Sequence, residues 1–202
     1  MSEKFRNIYR ISTSRLQSWD YSSNGYYFIT ICAKERKYFF GEIISNVMHL
    51  LKIGEIVQKY WLEIPKHFSF VELDEFVIMP NHVHGIVIIK NKNTIYPFVE
   101  TRHCLVSTTN TTYATNANKK INRFQNQGRH TISSIIGSYK SICTKIINKT
   151  QNNKLFRWQP RFYDHIIRDE KSFNRIRQYI KDNPMNWEED RNNLSNQQSN
   201  SN

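Results

Sequence analysis

The stretch from Val71 to Lys90 leaves the chain few choices. Two apolar runs, Val71–Met79 and Val83–Lys90, are rich in β-branched and aromatic residues, the composition of strands. Only Pro80, Asn81 and His82 separate them. Proline cannot donate to a ladder and asparagine tolerates turn geometry, so the pair is predicted to fold as a hairpin. Its centre, VIMPNHVHGIVII, carries His82 and His84 with one valine between them. Residues two apart on a strand share a face, so both imidazoles project together and Val83 points the other way. Two neutral imidazoles on one face form a ready chelate for a metal ion. The competing reading is that one or both are hydrogen-bonded core histidines, since buried polar groups need partners.

Around this hairpin the chain alternates between strand and helix signals. Tyr26–Ala33 reads as a strand, Met48–Ile64 as an amphipathic helix stopped by Pro65, and Thr131–Asn148 as a second helix. Phe162–Ile167 reads as a short strand. Asp169–Asn183 reads as a helix that opens on an acidic pair suited to the positive helix N-terminus and stops at Pro184. The order β-α-β-β-α-β plus a terminal helix implies an α+β fold. The expected form is a ferredoxin-like sandwich, an antiparallel sheet with helices on one face plus a C-terminal helix. Residues 91–130 are rich in Asn and Thr without apolar period and read as a long polar loop insertion. Residues 188–202, ending NNLSNQQSNSN, read as a disordered tail. One domain over 18–187 is expected.

Charge points to the partner. The 202 residues hold 29 Lys+Arg against 17 Asp+Glu, a net +12, which suits a polyanion such as nucleic acid. The three cysteines, Cys32, Cys104 and Cys143, are widely spaced and form no CxxC pair, which argues against a disulfide framework or zinc ribbon. Cys32 and Cys143 lie in apolar patterns and read as core. No apolar run reaches the roughly 18 residues of a membrane helix, and the polar N-terminus lacks a signal-peptide core, so the expected location is cytoplasmic.

Four blocks in this order resemble one known family. They are WDYSSNGYYFITICAKERKYFFGEI, VELDEFVIMPNHVHGIVII, ISSIIGSYKSICTKIIN and WQPRFYDHIIRDEKSFNRIRQYIKDNPMNW, covering most of Ser18–Trp187. The chain resembles the REP-associated tyrosine transposases, within the single-tyrosine HUH transposases. That resemblance implies Tyr179, in QYIKDNP, as nucleophile, and His82, His84 and Asn183 as ligands of a divalent metal, Mg²⁺ or Mn²⁺. It implies single-stranded DNA hairpins as partners, cut and rejoined through a 5′-phosphotyrosine. Relatives include monomers and homodimers, so oligomeric state stays open.

The helix itself supports Tyr179 and Asn183. They are four apart and stack on one face, at the edge of a stripe made by Phe173, Ile176 and Ile180. Each has a plainer reading, as a boundary tyrosine and a helix-stop residue. Tyr163 is the rival nucleophile. Arg157, Trp158, Arg161, Tyr163, His165 and Arg168 are candidate DNA contacts, since arginines with aromatics suit phosphates and unstacked bases. The basic run KKINRFQNQGRH is another. The alternative function is a DNA-binding protein on the same fold that no longer cuts.

Overall fold

The computed structural model describes residues 4–5, 8–9, 19–90, 130–150 and 156–198. The short strands β1 (Lys4–Phe5) and β2 (Ile8–Tyr9) pair with each other. The main sheet has four strands, β3 (Gly25–Cys32), β6 (Val71–Ile78), β7 (His82–Ile89) and β8 (Tyr163–Ile167). Their spatial order is β6-β7-β3-β8 and every pairing is antiparallel. Helices α1 (Lys52–Leu62), α3 (Ile132–Thr150) and α4 (Glu170–Asp182) pack on this sheet, and a short α2 (Ile64–His67) links α1 to β6. The α+β sandwich expected from the sequence is the fold observed, and no helix among the described residues is long and apolar enough to cross a membrane.

Alternation along β3 and β7 builds two apolar layers. Tyr27, Ile29 and Ile31 with Val83, Val87 and Ile89 face α1 and α3, where Trp61 and Tyr139 meet edge to face at 5.3 Å between ring centroids. The Tyr139 hydroxyl donates to the carbonyl of Val57, tying α3 to α1. On the opposite face Phe28, Ile86, Ile88 and Ile167 lie under Ile180, Phe173 and Ile176 of α4. Two long helices thus share one face and α4 takes the other, which leaves all eight residues of β7 buried. A strand covered on both sides reads as a nearly continuous apolar run, as this one does.

The predicted helix from Met48 starts too early. Met48–Leu50 belong to a second hairpin, β4 (Gly41–Ile44) with β5 (Val47–Leu50), and α1 begins only at Lys52. Its two-residue turn, Ser45-Asn46, has φ of 50° and 63°, the left-handed pair that matches the twist of a tight hairpin. The apolar alternation of Met48 and Leu50 around His49 fits strand period as well as helical period, so only the turn residues distinguish them. Pro65 does not stop a helix; it sits in the first turn of α2, where its missing N–H costs nothing. The segment after Glu188 also differs from expectation. A 3₁₀ turn at Trp187–Glu189 and the helix α5 (Ser195–Gln198) bracket Asp190, Asn192 and Asn193, all buried. The polar loop, with Cys104 and KKINRFQNQGR, falls in 91–129, outside the described residues.

Gly85 fixes how closely α1 approaches β7. A Cβ there would lie 2.3 Å from Cζ2 of Trp61 and 3.0 Å from Cβ of Phe76. Gly85→Ala is expected to destabilise the fold by about 1–3 kcal/mol through overpacking, measured by urea unfolding. Adding Trp61→Phe should recover part of that loss; an unchanged midpoint in Gly85→Ala would contradict this packing.

Candidate metal and nucleophile site

His82 and His84 lie on the α4 face of β7, both 0% exposed, with ring centroids 4.4 Å apart. Burial is the main cause that holds both imidazoles in the neutral form. It lowers the pKa of His82 to about 3, helped by the nearby cations Arg36 and Arg191. His84 is pushed well below its ordinary value by burial and then by His82. Neutral rings keep a lone pair for a ligand or a proton.

Asn81 decides which nitrogen of His82 carries that lone pair. Its Nδ2 donates to the carbonyls of Arg36 and Asn192, both at 2.8 Å. Its Oδ1 therefore faces Nδ1 of His82, 2.8 Å away, and an amide oxygen can only accept. Nδ1 of the neutral ring must then hold the proton, and Nε2 is left bare. That Nε2 is buried and has no hydrogen-bond partner among the described residues. His84 is less constrained: its Nδ1 lies 2.8 Å from the Thr30 hydroxyl, which can give or take a proton.

Helix α4 brings the remaining groups. Asp169 caps it, accepting from the Ser172 N–H at 2.7 Å. Ion pairs Arg177–Asp74 and Lys181–Glu75 tie it to β6, where a break in register between Leu73 and Phe76 turns the two acids toward the helix. Between those anchors Tyr179 places its Oη 3.3 Å from Nε2 of His84. One turn on, Asn183 ends the helix, 2% exposed, with a buried Oδ1 that has no hydrogen-bond partner among the described residues. Burial, then the negative charge of Asp190, raises the Tyr179 pKa, while a hydrogen bond from Asn183 opposes the rise.

Asp190 is the residue that sequence reading missed. Its Oδ2 lies 3.8 Å from Nε2 of His82, and His82, His84 and Asp190 offer ligand atoms all within 4.8 Å of one another. The segment that carries it is held by the Tyr38 hydroxyl, which donates to Oδ1 of Asn193, and by the Asn192 carbonyl on Asn81. Its only signal was the composition WEED within an Asn-rich tail.

The other candidates divide. Tyr163 and His165 are exposed and share the face of the histidines, because Thr30 pairs with both Tyr163 and His84. Tyr163 meets Phe28 and the Arg191 guanidinium, whereas Tyr179 is the tyrosine that meets His84. Arg157, Arg161 and Arg168 are exposed. Trp158 is 7% exposed and packs among Phe40, Tyr139 and Phe156, so it belongs to the core and offers no stacking surface.

The donors fit a cation. Nε2 of His82 and Oδ1 of Asn183 are buried acceptors without partners among the described residues, a costly state that a bound cation would relieve. In ¹⁵N–¹H spectra of the metal-free protein at pH 5, where a free histidine is mostly protonated, His82 is expected as the neutral ring with its proton on Nδ1. Asn81→Ala should mix the two tautomers; a charged His82 ring, or an unchanged tautomer in the variant, would contradict it.

No protein-family model matches the chain. A protein of Haemophilus influenzae strain Rd described only as uncharacterised is 38% identical over 192 residues, which span 94% of this chain and 97% of that one. The solved structure of a REP-associated tyrosine transposase bound to a REP hairpin superposes with a TM-score of 0.51 at 17% identity, covering 88% of this chain and 74% of that one. The chain belongs to one family with the Haemophilus protein, and its fold is that of the REP-associated tyrosine transposases.

Proposed function

We propose that this protein is a metal-dependent single-stranded DNA transposase that cleaves and rejoins DNA at hairpin sites through a 5′-phosphotyrosine. The observation that carries this reading is the meeting of Tyr179 Oη with His84 Nε2 at 3.3 Å, on a face where two further buried acceptors lack partners. The net charge of +12 and the fold shared with a hairpin-bound transposase agree with it.

His82, His84 and Asn183 would hold the cation, with Asp190 as a further candidate ligand. A mixed nitrogen and oxygen set suits Mn²⁺, and the family resemblance favours Mg²⁺ equally. Bound there, the ion supplies Lewis-acid stabilisation to a phosphate and its departing oxygen. The chain supplies the nucleophile. Tyr179 Oη forms a bond to phosphorus as the bond to the 3′-oxygen breaks, and that oxygen leaves as a hydroxyl by taking up a proton. Tyr179 gives up its own proton. Its pKa is raised above the ordinary value of about 10, so the phenol stays protonated until attack. The side chain is 43% exposed, which leaves the proton a path to water. A second 3′-hydroxyl can then attack the phosphotyrosine and reverse the step without ATP, as in nucleophilic catalysis generally. Exposed Tyr163 and His165 would meet unpaired bases, and exposed Arg157, Arg161 and Arg168 would meet phosphates.

A covalent-trapping gel tests this reading. Labelled single-stranded hairpin oligonucleotides with Mg²⁺ or Mn²⁺ should give a denaturation-resistant protein–DNA adduct. Tyr179→Phe and chelation should each abolish it, and duplex DNA should give none. An adduct undiminished in Tyr179→Phe would move the nucleophile to another tyrosine. Tight hairpin binding with no adduct would favour the non-cutting DNA binder.

A further inference from the structure

The sheet edge at β8 carries a second feature, on the side away from the histidines. A groove of about 610 Å³ runs between α3 and the segment 157–162. Among the described residues, Lys140, Lys145 and Arg157 line it with Ser141 and Thr144, and no acidic side chain does. Lys145 and Arg157 are exposed, and the Lys140 ammonium is steered by donation to the Gln159 carbonyl at 2.6 Å. Trp158 also lines the groove. Three cations and the Ser141 hydroxyl form a set of donors for phosphate oxygens.

The groove is tied closely to the catalytic face. The Gln159 N–H bonds the Cys32 carbonyl, the Lys34 N–H bonds the Arg157 carbonyl, and Cys32 pairs with His82. Gln159 and His82 therefore flank Cys32 on opposite sides, about 10 Å apart by sheet spacing, and Arg157 lies two residues from Gln159. The two surfaces differ in what they offer. The histidine face presents exposed rings, Tyr163 and Tyr179, which suit unpaired bases. In the groove, Trp158 lies in the core and Phe162 packs against it, so the surface is one for backbone rather than for bases.

We infer that this groove binds the sugar-phosphate backbone of the paired stem next to the cleavage position, while the histidine face takes the unpaired strand. The inference rests on the proposed action on DNA hairpins. It assigns to Lys140, Lys145 and Arg157 the holding of the stem.

The test is fluorescence anisotropy of a labelled hairpin oligonucleotide carrying a single-stranded flank, and of an unstructured oligonucleotide of equal length. Lys145→Glu/Arg157→Glu is compared with Lys59→Glu/Lys66→Glu, which makes the same change of charge at exposed lysines outside the groove. The groove variant should bind the hairpin at least tenfold more weakly and lower the slope of log affinity against log salt by about 2, near 0.9 for each lost phosphate contact. The control variant and the unstructured oligonucleotide should change less than threefold. Equal weakening in both variants would make the effect one of total charge and overturn the inference, as would equal losses on the two oligonucleotides. If the wild type binds the hairpin and the groove variant binds as well, the groove assignment fails while the proposed function stands. If the wild type binds neither oligonucleotide, both fail.

Discussion

The buried strand β7 is the constraint from which the rest follows. Helices α1 and α3 cover one of its faces and α4 the other, so His82 and His84 are taken out of water by the same packing that builds the core. Charged imidazoles would be expensive there, and the rings stay neutral. Neutral rings in a dry site have lone pairs to place. One of them, Nε2 of His82, is left without a partner because Asn81 holds the opposite nitrogen as a donor. A fold seeking stability alone would fill these positions with aliphatic residues, as it does at Ile86 and Ile88 on the same face. His82 and Asn183, each with a buried acceptor left unsatisfied among the described residues, therefore point to a ligand.

Much of this arrangement was legible in the chain. The hairpin could be read because Pro80-Asn81 interrupts two long apolar runs, and the shared face of His82 and His84 follows from the strand period alone. The pairing of Tyr179 with Asn183 followed from helical spacing, which puts both on the turn that crosses the sheet. The four-stranded antiparallel sheet followed from the order of the blocks. What stayed hidden depends on contacts remote in sequence. Asp190 belongs to a polar stretch with no period, and it is positioned by Tyr38, more than 150 residues away. Trp158, with arginines on either side of its segment, reads as a binding residue until Phe40 and Tyr139 close over it. The β4–β5 hairpin was hidden because Met48 and Leu50 fit two periods, and a Ser-Asn turn is a weaker signal than Asn-Gly.

Asn81 and Asp190 show how the site depends on segments far apart in the chain. Asn81 reads the carbonyls of Arg36 and Asn192 on one side and His82 on the other, so a shift in either segment is felt at the imidazole. Arg36 itself has a φ of 52°, an uncommon conformation for a side chain with a Cβ, and its guanidinium donates to the Arg191 carbonyl. Arg191 in turn lies over the Tyr163 ring. Cationic groups thus border a face whose proposed substrate is a phosphodiester, and the carboxylate of Asp190 is the negative charge beside the histidines.

The most direct measurement is calorimetric titration of the metal-free protein with Mn²⁺, in wild type, His82→Ala and Asn183→Ala. The wild type is expected to bind at one site per chain. Each variant is expected to lose affinity at least tenfold, His82→Ala more. Undiminished Mn²⁺ binding without His82, or no binding to a folded wild type at millimolar Mn²⁺, would contradict this.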